Sequence, residues 1–235
     1  MVNWIAALLG RKAELTAEQA MRLKRWRALH HADTGAELNR SRFVVVDVET
    51  SGLSLTKDRL IAIGAVAVVD GRVDLNDSFE VVLQQQVASS KANILIHGIG
   101  GSAQTAGQLP ADALLSFLEY LRKDPLVAFH VTFDETMLRR AIRQFLGINF
   151  RHDWLDLAYA VPGLYPEQAS RFRALDDWLA YFDIRNYARH NALADAVSTA
   201  QLFMVAIRQA QRKNIPSYQG LRRVEKAQRW VNGES

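Results

Sequence analysis

Cysteine is absent from all 235 residues, which excludes disulfide scaffolds, cysteine-ligated zinc and thiol catalysis and is compatible with a reducing compartment. Long apolar runs are missing too. The longest near the start, Trp4 to Gly10, is too short to span a bilayer and lacks the basic region and cleavage-type ending of a secretory leader, so the chain reads as cytoplasmic with no membrane partner. Internal repeats and low-complexity segments are also absent, which rules out a solenoid or an array.

What is present is 49% hydrophobic and 23% charged residues, the balance of a soluble globular protein with one ordinary core and room for a small appendage. The net charge of +4 is unevenly spread. Residues 1–42 carry eight Lys/Arg against four Asp/Glu, residues 208–235 carry seven against two, and the middle holds the acidic excess. Basic ends can steer a polyanion, although solvated helix faces carry such residues routinely.

Residues 1–40 read as helical, with a Thr16-x-x-Gln19 capping box ahead of Ala20, Met21, Leu23 and Leu29 and a basic cluster of Arg22, Lys24, Arg25 and Arg27. Three roles stand open for this extension: packing on the domain, binding DNA through the four basic residues, or engaging a partner through Trp4, Ile5, Leu8 and Leu9. Phe43 to Val48 reads as a central strand and Arg59 to Val69 as a second, and the Asp70-Gly71 turn returns a third, antiparallel strand over Arg72 to Leu83.

A loop holding His97-Gly98-Ile99 leads to a helix opened by Pro110 and stopped by Asp124-Pro125. Leu126 to His130 reads as a short strand, and a second capping box, Thr132 to Glu135, opens a helix that runs to Gly147. Further helices are expected around Asp153 to Ala160, Leu175 to Phe182 and 191–212, with a basic amphipathic helix over Tyr218 to Val231. Strands followed by alternating helices and short strands predict a mixed α/β fold.

The chemistry lies in three places. Asp47 and Glu49 are two apart at the end of an apolar strand, so both carboxylates project from one face. Two anions held that close beside a core repel, and a divalent cation is the usual remedy. Asp134 follows a short buried strand, and the strand-to-helix loops of an α/β sheet gather their residues at one edge. With Asn191 as a helix cap, His190 precedes the cap and Asp195 is the fourth helical residue, a pair placed to touch across the first turn.

Asp47-x-Glu49, then Asp134 within Phe129-His130-Val131-Thr132-Phe133-Asp134, then His190-x-x-x-x-Asp195 resembles the three motifs of the DEDDh exonuclease family, whose best-known member is the proofreading epsilon subunit of bacterial DNA polymerase III. The resemblance covers about residues 42–210, with further matches at Val48-Glu49-Thr50-Ser51-Gly52 and Ile96-His97-Gly98-Ile99. The sister branch carries Tyr four residues before the last Asp, where this chain has Asn191, so the His branch is the better match. The sequence departs from many relatives at Ala62 and Ala92, where an acidic residue is common.

The resemblance implies a ribonuclease-H-like α/β fold with a mixed five-stranded sheet flanked by helices. It also implies an exonuclease domain over 41–213, between a helical basic extension (1–40) and a basic helical tail (214–235). The implied activity is a metal-dependent 3′-to-5′ exonuclease acting on single-stranded or frayed DNA ends with two Mg²⁺ or Mn²⁺ ions. Asp47 would bridge both ions, Glu49 and Asp195 would complete one shell, Asp134 would serve the other, and His190 would be the general base. Thr50, Ser51 and Gly52 would hold the terminal 3′-hydroxyl, with Leu53 as a wedge; their alternative is a simple turn. His97 would lie near the nucleotide or be an exposed loop residue, and Phe129 and Phe133 would stack on bases or join the core. An RNA-trimming exonuclease and a non-catalytic nucleic-acid-binding adaptor are the other readings of function, and a polymerase is the implied protein partner.

Overall fold

In the computed structural model of the chain, which describes residues 14–233, the β-branched run after Ser41 forms β1 (Arg42–Thr50). β2 (Leu60–Val69) pairs antiparallel with β1, and β3 (Arg72–Val82) pairs antiparallel with β2. The turn joining them, Asp70-Gly71, has both φ angles positive, at 51° and 73°, as a two-residue hairpin requires. β4 (Leu126–Ala128) and β5 (Trp154–Asp156) add in parallel on the other side, giving one five-stranded sheet ordered β3-β2-β1-β4-β5.

Side chains alternate across this sheet and define two cores. Val44, Val46 and Val48 face a layer made by α1 (Ala17–Arg27), α4 (Pro110–Leu121) and α5 (Val131–Leu146). Phe43 and Val45 face the layer of α6 (Leu157–Leu164), α7 (Leu175–Tyr181), α8 (Ala192–Arg212) and α9 (Tyr218–Val231). Asp47 and Glu49 share the parity of Phe43 and Val45, so they emerge on the α8 side. Two short helices, α2 (Lys91–His97) and α3 (Gly101–Thr105), lie between β3 and α4.

The flanking segments join these cores. α1 starts at the expected Thr16–Gln19 capping box and buries Leu23 and Trp26, while Arg22 pairs with Glu119 at 2.6 Å and the Trp26 indole donates to the Arg122 carbonyl at 2.7 Å. Trp4, Ile5, Leu8 and Leu9 lie outside the described residues. At the other end α9 buries Tyr218 and Leu221 against α6, and the Tyr218 hydroxyl donates to the Trp154 carbonyl. Among the described residues no helix is long and apolar enough to cross a membrane.

Four local expectations are corrected. The described part of the N-terminal segment is helical only over Ala17–Arg27 and a 3-10 turn at Leu38–Arg40, because Asp33-Thr34-Gly35 lies in a turn and not at a helix end. Trp154–Asp156 is a strand, and the helix expected from Asp153 begins only at Leu157, with Asp156 as its cap. The loop around His97 contains α2 and α3. The Thr132 capping box does not form: β4 stops at Ala128 and α5 starts at Val131 from a left-handed His130 at φ 64°, with no side-chain cap. Asp134 is therefore the fourth residue of its helix rather than the second.

Candidate functional site

β1, β4 and β5 run parallel, so their C-terminal ends meet at one edge, and the two layers supply side chains to that edge from opposite sides. Asp47 and Glu49 end β1. Asp195 comes from the first turn of α8, and one ligand atom each from Asp47, Glu49 and Asp195 lies within 4.8 Å of the others. Asp134 reaches the edge from α5 in the opposite layer and is buried at 6% exposure. It stands outside the 4.8 Å set, yet its charge acts on Asp47.

A backbone feature lets α8 come this close. Asp47 sits opposite Gly64 in the β1–β2 register. A Cβ on Gly64 would lie 2.2 Å from the main-chain carbon of Ala192 and the nitrogen of Leu193, so only glycine admits the first turn of α8 onto the sheet. Asn191 caps that turn by accepting from the Ala194 N–H at 2.9 Å.

Asp195 is gripped on both oxygens. Its Oδ2 accepts from the His190 backbone N–H at 2.8 Å, and its Oδ1 accepts from Arg189 Nη1 at 2.9 Å and from the Asn186 amide. His190 itself is exposed and left-handed at φ 63°, a conformation that turns the chain sharply into α8. Arg189 reaches in the other direction to Asp176 at 3.1 Å.

The electrostatics follow from crowding of like charge. Burial, followed by the charges of Asp134, Asp195 and Glu49, pushes the Asp47 carboxyl well above the usual range, and Arg189 opposes the rise. Burial and Asp195 push Glu49 up to about 8, again against Arg189. Burial raises Asp134 as well, while its own backbone amide and that of Val48 pull it down. Such a set binds protons or a cation readily, and all of its donors are oxygens, the ligand type of Mg²⁺ and Mn²⁺.

The loop after β1 is built around Asp58. Its carboxylate accepts from the Ser51 hydroxyl and the Ser54 N–H, both at 2.8 Å, and these two bonds hold its pKa low. A Cβ on Gly52 would lie 2.7 Å from the same carboxylate. Thr50 is buried and its hydroxyl donates to the Gly52 carbonyl, whereas Leu53 stands 88% exposed at the tip. Arg140 of α5 clamps the loop by donating to the carbonyls of Leu55, Asp58 and Thr56 at 2.6, 2.9 and 2.8 Å.

His97 is buried, not an exposed loop residue. Its Nδ1 accepts from the Ile99 N–H at 2.9 Å, so the proton is on Nε2, which donates to Asn93 Oδ1 at 2.9 Å. Both nitrogens thus serve the turn at Gly98. Phe133 is part-buried against the α5-side core and Phe129 against the other.

The sequence reading passed over Gly64, Asn186, Arg189, Asp58 and Arg140. Only Gly64 carried a signal, as a lone glycine inside a β-branched run; the others hold partners through contacts that no spacing encodes.

The RNase_T family model, described as Exonuclease, matches residues 44–203. A DNA polymerase III PolC-type protein of Caldanaerobacter subterraneus subsp. tengcongensis is 30% identical over 175 residues, covering 74% of this chain and 12% of that protein. A DNA polymerase III subunit epsilon-like protein of Rhodobacter capsulatus is 30% identical over 169 residues, covering 71% of this chain and 24% of that protein. The chain therefore spans a minor part of the length of these relatives. In structure it resembles E. coli Exonuclease I, solved in complex with a dT13 oligonucleotide, with a TM-score of 0.61 and 17% identity over 74% of this chain and 42% of that one. The sheet and its flanking helices have the ribonuclease-H-like α/β fold of these exonucleases, and the chain belongs to the exonuclease family.

Proposed function

We propose that the chain is a 3′-to-5′ exonuclease of the DEDDh type that hydrolyses phosphodiester bonds at single-stranded or frayed DNA ends and releases nucleoside monophosphates. The observation that carries this reading is the convergence of Asp47, Glu49 and Asp195 within 4.8 Å at the sheet edge. Their mutual repulsion and oxygen-only chemistry fit a pair of Mg²⁺ or Mn²⁺ ions. Asp47 and Glu49 of β1 and Asp195 of α8 would hold that pair, with Asp134 completing the set from α5. When bound, the pair supplies positive charge to the attacking and departing oxygens of the phosphodiester.

The remaining work falls to the chain itself. His190 accepts the proton of the attacking water at a ring nitrogen, and its exposure lets that proton pass on to solvent. Asp58 and Arg140 fix the loop so that Thr50, Ser51 and Gly52 present main-chain groups to the terminal sugar and Leu53 presents apolar surface to the last base. Phe133, next to Asp134 in α5, would offer its ring to the same base. The names of the PolC-type and epsilon-like relatives support a polymerase assembly as the setting.

Digestion of 5′-end-labelled oligonucleotides tests the reading. The expected result is a ladder shortening from the 3′ end in Mg²⁺ or Mn²⁺ and none in chelator, with matched RNA cut more slowly. Undiminished digestion in chelator, or release from the labelled end, would overturn it.

A further inference from the structure

The helix α9 lies beyond residues 44–203, the span of the family match, yet its Arg229 enters the framework behind the site. The bridge is Asp156, 1% exposed at the end of β5. Its Oδ1 accepts from the N–H groups of His130 at 2.9 Å and Ala158 at 3.0 Å, and its Oδ2 accepts from the N–H of Val131 at 3.1 Å and from Arg229 Nη2 at 2.8 Å. His130 and Val131 are the turn from which α5 departs, and that helix has no side-chain cap of its own. Asp156 thus takes the place of the cap from 26 residues away and holds His130 in its left-handed conformation.

Arg229 is itself pinned on three sides. It donates to Glu225, 1% exposed, at 3.0 Å, it donates to Asp156, and its guanidinium lies 4.0 Å from the centre of the Tyr159 ring. One cation therefore serves two buried carboxylates, and removing it leaves both without their shared charge partner. Arg222 pairs with Glu225, and among the described residues it forms no ion pair with Asp156.

We propose that α9 is a positioning brace for the nuclease site: Arg229 sets Asp156, Asp156 sets the His130–Val131 turn, and that turn aims Asp134 at Asp47. Asp134 lies within one helical turn of Val131, so a tilt of the first turn moves its carboxylate directly. The inference rests on the proposed function for the role of Asp134, while the mechanical link stands on the hydrogen bonds alone.

Hydrogen exchange of amides 129–134 and Mn²⁺ binding to the full chain without substrate test the brace. Arg229→Gln should speed exchange across 129–134 and weaken Mn²⁺ binding at least about tenfold, the usual cost of removing a group that orients a ligand. Arg229→Lys keeps the charge and the fold but cannot serve both carboxylates, and should give a smaller change in the same direction. Arg222→Gln loosens the same helix without touching Asp156, and should leave both readouts at wild-type values. Wild-type exchange over 129–134 in both Arg229 variants, or an equal effect in Arg222→Gln, would overturn the brace. A wild-type chain that binds no Mn²⁺ would instead sink the nuclease reading, and exchange alone would then decide the brace.

Discussion

Gly64→Ala is the smallest change that should dismantle the carboxylate cluster without altering a charge. The added methyl carbon would sit 2.2 Å from Ala192 main chain, against 3.4 Å or more for an ordinary contact, so the start of α8 must retreat by about 1.2 Å. Backbone atoms cannot swing aside as a flexible side chain would. The substitution also stiffens the unfolded chain, a gain of about 0.4–1 kcal/mol at a compatible backbone position. Overpacking costs about 1–3 kcal/mol, and a main-chain overlap this deep belongs at the upper end, so the clash wins by roughly 2 kcal/mol, or a Tm lower by about 4–8 °C for a chain of this size. Function should suffer more than stability. A displacement of about 1 Å at a reacting centre can cost on the order of a hundredfold in rate, and here it separates Asp195 from Asp47. Calorimetric Mn²⁺ titration and initial rates on a labelled oligonucleotide, run with the melting curve, measure all three effects. A folded Gly64→Ala protein with wild-type Mn²⁺ affinity and rate would refute the claim that this close approach builds the site.

Glu49, with its folded value at about 8 against an ordinary 4.5, makes the metal-free fold bind a proton that the unfolded chain has released. Metal-free stability should therefore fall as pH climbs from about 4.5 through about 8, and Mn²⁺ should raise Tm more at pH 8.5 than at pH 6. Equal shifts at the two pH values would count against the crowding argument. Asp47→Asn should raise Tm in chelator by removing one repelling charge, and should abolish the Mn²⁺ response; a lower Tm in chelator would contradict it. Arg140→Ala releases three carbonyls of the Ser51–Asp58 loop and should raise KM about tenfold with little change in kcat, consistent with charged hydrogen bonds worth about 1.5–3 kcal/mol. A fall in kcat alone would remove the loop from substrate binding. His190→Ala should lower kcat by about 10²–10⁴, whereas undiminished turnover would strip His190 of the base role.

The features legible in the sequence are those written in short-range code. β1 and β2 were legible because a β-branched run states its own burial, and the Asp70-Gly71 turn because its backbone angles need such residues. Asn191 was legible as a cap for the same reason. Asp47 and Glu49 were placed on one face by the period of two, and the structure adds that this face is the one α8 covers. The losses were long-range. Thr132 offered a local cap to α5, but Asp156 supplied a better acceptor from the end of β5, and the helix begins two residues earlier. Three residues of β5 are too few to display a period, so the helical signal from Leu157 onward spread over them. Arg189, which tempers the charge of the cluster, and Gly64, which admits α8, act on partners that spacing along the chain does not reveal.

Four carboxylates from β1, α5 and α8 should form one cation cage. Anomalous difference maps from crystals soaked in Mn²⁺ test it most directly. Two peaks are expected about 3.5–4 Å apart, bounded by Asp47, Glu49, Asp134 and Asp195, and both should be lost in Asp47→Asn crystals. Peaks elsewhere with none at this edge of the sheet would contradict it.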